Sequence, residues 1–356
     1  MSKTPIQLSD HFTYPRLLRF VAPSIVMMIF TSIYGVVDGF FVSNYVGKTP
    51  FAALNFIMPF IMVLGGMGFM LGTGGSALVA KELGCGHKEK ANRIFTMMIG
   101  FVIITGLLLT VLGIAFIRPI ARLMGASEAI MEDCVIYGRI TIAFTTAFML
   151  QNVFQSFLVV AERPRVGLLV VVAAGVANMV LDALFIAVFR WGLAGAALAT
   201  GIGQCIGGVI PMIYILREKD LPLHFTPFKF EARPILQACA NGSSEFMSNI
   251  STSFVSALYN MQLMRMLGED GVSAYGVLMY VQLIFIGTAI GYSIGSAPIV
   301  SYHYGAGNHD ELKNMLKKSL TLMGVTGVAL TALALGLASP LAKIFVGYDE
   351  ALYTLT

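Results

Sequence analysis

Long apolar stretches, separated by short polar segments, run along the whole chain. Six of these stretches contain no Asp, Glu, Lys or Arg, and they lie at residues 49–80, 94–117, 140–161, 191–216, 271–309 and 319–342. Three more contain a single acid each, and they lie at residues 20–47, 166–189 and 234–264. Each is long enough to cross the hydrocarbon core of a bilayer as a helix. None alternates as a membrane β-strand does, so the pattern predicts nine transmembrane helices and the start of a tenth near Asp349.

The composition also indicates a membrane protein. Of the 356 residues, 57% are hydrophobic and only 12% are charged, whereas soluble domains carry about 25% charged residues. The basic residues are scattered and form no cluster interleaved with aromatics, which argues against nucleic acid as a partner. The four cysteines lie far apart without a CxxC pair, and no HExxH, GxSxG or glycine-rich phosphate loop occurs. We therefore expect neither an enzyme nor a bound cofactor.

The loop charges predict the orientation. With the N-terminus in the cytoplasm, sixteen Lys and Arg residues lie on the inner side and six lie on the outer side. Such an excess of positive charge marks the cytoplasmic side of a membrane protein. We therefore expect a multi-pass protein of the cell inner (plasma) membrane with a cytoplasmic N-terminus.

Two segments of the chain repeat each other. The sequence GSALVAKELGCGHKEKANR from Gly75 matches GSAPIVSYHYGAGNHDELK from Gly295, at offsets of 220 to 221 residues. Because six spans separate the copies, both enter the membrane from the same side, as in parallel repeats. The predicted fold class is an all-α polytopic membrane protein with two lobes of 6+6 transmembrane helices, truncated here after about nine. The predicted parts are an N-lobe of six helices (1–216), a cytoplasmic linker loop (217–233) and an incomplete C-lobe of three helices and the start of a fourth (234–356).

Three acidic residues lie inside the predicted spans, and they are Asp38, Asp182 and Glu245. A lone carboxylate in hydrocarbon is costly unless it faces a partner or a wet cavity. For a single acid, a structural hydrogen bond between helices is one explanation and a functional site is the other.

Further polar residues accompany two of these acids. Tyr34 lies four residues before Asp38, so the two share one helix face. Asn178 and Asp182 have the same spacing. Polar side chains on the fourth and sixth spans are Gln151, Asn152, Gln155 and Thr200. Because polar groups recur on four spans, we expect a hydrophilic cavity between them.

Several of these segments resemble the multidrug and toxic compound extrusion (MATE) family. The resemblance rests on VDGFFVSNYVG around Asp38, NMVLDALFI around Asp182 and GLAGAALATGIGQ around Thr200. The segments NGSSEF (241–246) and IGSAPIVSYHYGAGNHDELK (294–313) are similar to the MepA-like bacterial branch. Members of the family have twelve helices in two six-helix lobes, so the resemblance implies a MATE-like two-lobe bundle.

The resemblance also implies secondary active efflux of lipophilic organic cations, including antibiotics and other xenobiotics, in exchange for H+ or Na+. It maps the coupling site for protons or cations onto Asp38, Asn178, Asp182 and Thr200. The residues that could line the substrate cavity are Tyr34, Gln151, Asn152, Gln155 and Glu245. Pro23, which removes a backbone hydrogen bond from the first span, marks the expected helix bend. Na+ bound by Asp38, Asn178 and Asp182 is the only metal ion implied.

A flippase for lipid-linked saccharides, from the same superfamily, is the alternative. Such proteins tend to line their cavity with basic residues that meet phosphate, whereas the only basic residue assigned to a span here is Arg139, which directly precedes the stretch at 140–161. A structural or receptor protein would leave the clustered acids unexplained. The sequence therefore favours an exporter of small cationic drugs and toxins that acts as a monomer in the lipid bilayer.

Overall fold

The computed structural model describes residues 6–346, except positions 125 and 127, and every regular element in this part of the chain is helical. The helices are α1 (Tyr14–Phe41), α2 (Lys48–Gly84), α3 (Lys88–Leu123), α4 (Glu128–Ala143), α5 (Thr145–Val160), α6 (Pro164–Asp182), α7 (Gly192–Arg217), α8 (Ala232–Gly305) and α9 (His309–Val346). α1 and α6 each continue into a π-helical segment, Val42–Val46 and Ala183–Val188. The predicted start of a tenth helix near Asp349 lies outside the described residues.

Seven helical stretches within the described residues are long and apolar enough to cross a membrane. α4 and α5 pass the same test together as one span bent by 54°, which makes eight. This bent pair replaces the predicted span at 140–161, because the helix already begins at Glu128, among charged residues that the apolar pattern excluded. The predicted span at 234–264 is not among the eight, since hydroxyl and amide side chains are frequent between Ser243 and Thr252.

α8 folds back on itself. The rings of Tyr259 and Tyr275 stack with their centroids 5.5 Å apart, whereas a straight helix would separate residues at this spacing by about 24 Å. The chain therefore reverses between them, and we call its two halves the first arm (232–259) and the second arm (275–305). The loop expected between the seventh and eighth spans falls within this reversal.

The two copies of the repeat end their helices in the same way. Gly86 after α2 and Gly307 after α8 have positive φ angles of 81° and 68°, a conformation that glycine adopts without strain. In both places the amide of the next residue donates to the carbonyl oxygen five positions earlier, at 3.0 Å. This is the pattern of a Schellman cap, so the repeated glycines terminate equivalent helices.

These helix ends also pack against each other. A side chain on Gly84 would overlap the carbonyl oxygen of Tyr302, and a side chain on Gly305 would overlap the carbonyl oxygen of Lys81. Gly305 lies 221 residues after Gly84, and Tyr302 lies 221 residues after Lys81, so the second contact is the first with the two copies exchanged. Each copy of the repeat therefore presents the same surface to the other, as in a two-fold interface.

α1 to α7 pack around one another, while α8 lies against α1 and α2 and also contacts α9. We call α1–α7 the N-terminal bundle, and α8 with α9 the C-terminal segment. Buried residues in the largest apolar core include Leu17, Phe95, Phe154 and Phe157. The division of the protein into two lobes at residues 217–233 stays a prediction.

We predict that Gly305→Ala lowers the free energy of unfolding by about 1–3 kcal/mol, because the added methyl group forces the α2–α8 contact apart. Gly324→Ala in α9 is the matched control, since no neighbouring atom lies within 4 Å of the added carbon. Thermal unfolding of both variants in detergent measures the difference. An unchanged midpoint for Gly305→Ala would contradict the two-fold contact.

Candidate functional site

A cavity of about 410 Å³ lies between the N-terminal bundle and α8. Its polar lining comes from six helices and comprises Thr31, Tyr34, Asp38, Tyr137, Thr141, Asn152, Gln155, Asn178, Thr200, Gln204, Asn249 and Thr252. Its larger apolar side chains include Met28, Met58, Met62, Phe69, Phe148 and Phe246. Asp38 is the one charged residue in the described lining, so this wall carries no positive charge.

Two carboxyl groups meet at the wall of this cavity. Asp38 is 6% exposed, and Asp182 is fully buried, yet the two lie close enough to interact directly. Neither oxygen of Asp182, nor Oδ1 of Asp38, accepts a hydrogen bond from any donor that the structure describes. Two carboxylates without donors repel each other strongly where water is excluded. A shared proton or a bound cation would therefore stabilise the pair.

Asn178 adds neutral oxygen and nitrogen atoms to this pair. It lies one turn before Asp182 on α6, and its Oδ1 is buried without a donor among the described residues. Its Nδ2 lies 3.5 Å from Oγ1 of Thr200 on α7, which is long for a hydrogen bond. The structure thus brings Asp38, Asn178, Asp182 and Thr200 together, and their role as a coupling site stays a prediction. Their carboxylate, amide and hydroxyl oxygens are the ligand types that hard cations prefer.

Both acids lie within one turn of a π-helical segment. Asp182 is the last residue of α6 before Ala183–Val188, and Asp38 lies one turn before Val42–Val46. The two π-helical segments also contact each other. Such segments occur frequently at functional sites, and here they mark the two helices that carry the carboxyl pair.

Two tyrosines stand beside the acids. The predicted Tyr34 lies within reach of Asp38 and of the side chain of Gln151. Tyr137 on α4 is fully buried and faces both acids. Each ring therefore lies near at least one of the two acids, although the Tyr137 hydroxyl has no hydrogen-bond partner among the described residues.

The sequence analysis missed Tyr137 and Gln204. Tyr137 lies two residues before Arg139, whose charge ended the apolar stretch, although the Arg139 side chain is exposed and is not part of the described lining. Gln204 lies one turn after Thr200 on α7. The same four-residue spacing that placed Tyr34 with Asp38 would have predicted that Gln204 shares a helix face with Thr200.

The three amides predicted on the fourth span differ in their positions. Gln155 and Asn152 line the cavity, and Nδ2 of Asn152 also donates to the carbonyl oxygen of Gly65 at 3.1 Å, which fastens α5 to α2. Gln151 is buried, lies outside the described lining and packs against Gly207 of α7. Its side chain therefore packs between α5 and α7 and reaches Tyr34 of the cavity wall.

Two further residues from the sequence analysis lie away from the acid pair. Glu245 lines a separate cavity of about 140 Å³ between α2, α5 and both arms of α8, so it is not part of the described lining of the central cavity. Pro23 lies inside α1, which continues through it as a helix. A bend at Pro23 during function stays a prediction.

The chain is similar to known proteins over most of its length. The MatE family model matches residues 23–184 and 246–356. The multidrug export protein MepA of Staphylococcus saprophyticus is 22% identical over 306 residues, which are 85% of this chain and 66% of that protein. MepA of Staphylococcus aureus is 21% identical over 317 residues, which are 88% of this chain and 69% of that protein. The chain thus spans about two thirds of the length of these curated relatives.

A solved structure shows the same fold. It is the outward-facing conformation of a multidrug resistance MATE family transporter of the MOP superfamily. It aligns with a TM-score of 0.91 and 22% identity over 99% of this chain and 78% of that chain. The all-α membrane fold predicted from the sequence is therefore confirmed.

We predict that Asp182→Asn raises the free energy of unfolding at neutral pH, on the order of 1 kcal/mol or more. The asparagine amide can donate to Asp38 and removes a buried charge that has no donor among the described residues. Asp310→Asn, at an exposed acid in α9, is the control. A lower unfolding midpoint for Asp182→Asn than for the parent would show that the carboxylate already has a stabilising partner.

Proposed function

This chain belongs to the MatE family, and from that premise we propose that it acts as a secondary active multidrug efflux transporter. We propose further that it exports lipophilic organic cations and that H+ or Na+ enters in exchange. The proposed location is the cell inner membrane, with the N-terminus in the cytoplasm. Its family consists of transporters, so no catalytic residue is assigned, and the proposed working unit is a monomer.

The carboxyl pair is the observation that carries this proposal. Asp38 lies at the cavity wall and Asp182 lies behind it, without a donor among the described residues for three of their four oxygens. A proton, a sodium ion or a cationic substrate can each neutralise charge on such a pair. Once one of them is bound, the affinity of the pair for another cation is lower. This competition is the physical basis for exchange, because it makes the affinity for substrate depend on the coupling ion.

The remaining lining suits a lipophilic substrate. Aromatic faces at Phe69, Phe148 and Phe246 attract cations and bury apolar area. Methionine side chains adapt to ligands of different shape. A cavity with one acidic group among many apolar side chains therefore favours molecules that combine a positive charge with large aromatic or aliphatic groups.

The flippase alternative finds less support. A lipid-linked saccharide carries phosphate, which calls for Arg or Lys in the cavity. The described lining contains neither, and Arg139 is exposed on α4 instead. The wall would repel a phosphate group rather than bind it.

We predict that Asp38→Asn and Asp182→Asn each abolish gradient-driven export of a fluorescent cation from vesicles that contain the whole protein. Either change removes a charge that the coupling ion has to neutralise. Proton and sodium gradients, imposed separately, identify the coupling ion from the parent protein. Asp310→Asn should retain the parent rate. Export at the parent rate by both cavity variants would place the coupling site elsewhere.

We also predict that the cavity discriminates by charge. Tetraphenylphosphonium and tetraphenylborate have the same shape and opposite charge, so they form a matched pair of ligands. The purified protein should bind the phosphonium and leave the borate unbound, as measured by equilibrium dialysis. Equal binding of both ions would show that apolar contact alone determines affinity.

A further inference from the structure

The residues that precede α1 connect the two parts of the molecule. We call residues 6–13 the N-terminal strap. Leu8 and Phe12 within it are buried. The amide of Leu8 donates to Oε1 of Glu162 at 2.7 Å, in the turn between α5 and α6. The strap is therefore held on the N-terminal bundle both by this bond and by its covalent link to α1.

The other end of the strap binds the C-terminal segment. The amide of Phe12 donates to Oε1 of Glu311 at 3.0 Å, and its carbonyl oxygen accepts a hydrogen bond from Nδ2 of Asn314 at 3.1 Å. The ammonium group of Lys318 contacts the same carbonyl oxygen. Nδ1 of His11 lies 2.6 Å from Oε2 of Glu311. Side chains of α9 thus satisfy both backbone groups of Phe12.

Glu311 binds both the strap and its own helix. Asn308 accepts a hydrogen bond from the amide of Glu311 at 3.1 Å, and the Asn-x-x-Glu spacing is close to that of a capping box. In a capping box the glutamate reaches back to the backbone of the first residue. Here both carboxylate oxygens bind the strap, and Oε1 also accepts a hydrogen bond from Nδ2 of Asn314 at 2.8 Å, so Glu311 joins the strap to the first turns of α9.

The anchor on the N-terminal bundle is strained. Glu162 has a φ angle of 61°, and this left-handed conformation costs a non-glycine residue on the order of 1 kcal/mol or more. Such strain persists only where the surrounding contacts impose it. The bond from Leu8 to the Glu162 carboxylate is one contact that this conformation permits.

A second segment, which leads into the C-terminal segment, binds the N-terminal bundle. Residues 221–231, which we call the linker strap, lead into α8 and bind α3 of the N-terminal bundle. The amide of His224 donates to Oδ1 of Asn92 at 2.8 Å, and the amide of Thr226 donates to Oγ1 of Thr96 at 3.0 Å. α3 and α9 are equivalent helices, because each follows one of the two equivalent glycine caps. The linker strap binds α3, and the N-terminal strap binds α9. The linker strap is covalently continuous with both parts, whereas the N-terminal strap holds α9 by non-covalent contacts alone.

We propose that the N-terminal strap is a latch, which holds the bundle and the C-terminal segment together on the proposed cytoplasmic side and detaches from Glu311 when that side opens. This inference rests on the proposed transport function, since a transporter has to expose its cavity to each side in turn. The strap continues directly into α1, which carries Asp38. A change in the acid pair and release of the latch therefore act on the same helix.

Accessibility of a cysteine at position 77 tests the latch. Ala77 is half-buried and lines a cavity of about 520 Å³ between α2 and both arms of α8. The background is a chain whose native cysteines are replaced, namely Cys85, Cys134, Cys205 and Cys239. In inside-out vesicles, Glu311→Ala should raise the rate at which a membrane-impermeant maleimide labels Ala77→Cys by several-fold. Asp310→Ala, which removes the neighbouring exposed acid, should leave that rate unchanged.

A second variant covers the case in which Glu311→Ala does not fold. The side chain of His11 is 66% exposed, so His11→Ala removes one latch contact with little risk to folding and should raise labelling by a smaller factor. Parent-level labelling in the folded strap variants, or an equal rise in Asp310→Ala, overturns the latch. Labelling does not require transport, so a failure of cation export would contradict the proposed function without deciding this result.

Discussion

Two carboxyl groups face each other at the wall of the central cavity, and the proposed function depends on how their charge is balanced. At an effective dielectric constant of 20, two unit charges 4 Å apart interact with about 4 kcal/mol. Three of the four carboxylate oxygens of Asp38 and Asp182 have no donor among the described residues that could offset such repulsion. In the proposed mechanism a proton or cation offsets this repulsion, and exchange of one for the other changes the forces between α1 and α6.

Such a site can drive transport only if the helices around it move in a defined way. The two-fold contact at Gly84 and Gly305 brings the backbones of α2 and α8 directly against each other, and closely packed surfaces of this kind resist continuous deformation. The straps beside it rely on hydrogen bonds and on a few buried side chains. A rigid contact flanked by separable ones permits rocking of one part against the other.

Much of this arrangement could be predicted from the sequence. The apolar stretches gave most helices, and the four-residue spacings placed Tyr34 with Asp38 and Asn178 with Asp182. The prediction was wrong near Arg139, because its charge ended the apolar stretch. Tyr137 and the start of α4 at Glu128 were therefore left out of the predicted span. The π-helical segments depend on tertiary packing and have no sequence signature here. The N-terminal strap looks like an ordinary polar terminus, because the groups that bind Leu8 and Phe12 lie more than 150 residues away along the chain.

The most direct test measures the protonation of the acid pair itself. Infrared difference spectroscopy of the purified protein, on addition of tetraphenylphosphonium or Na+, reports the absorption of protonated carboxyl groups. The account predicts that this absorption decreases when the cation binds and that the change is absent from the Asp38→Asn, Asp182→Asn double variant. An unchanged carboxyl absorption in the parent, or the same decrease in the double variant, would contradict the central role of this pair.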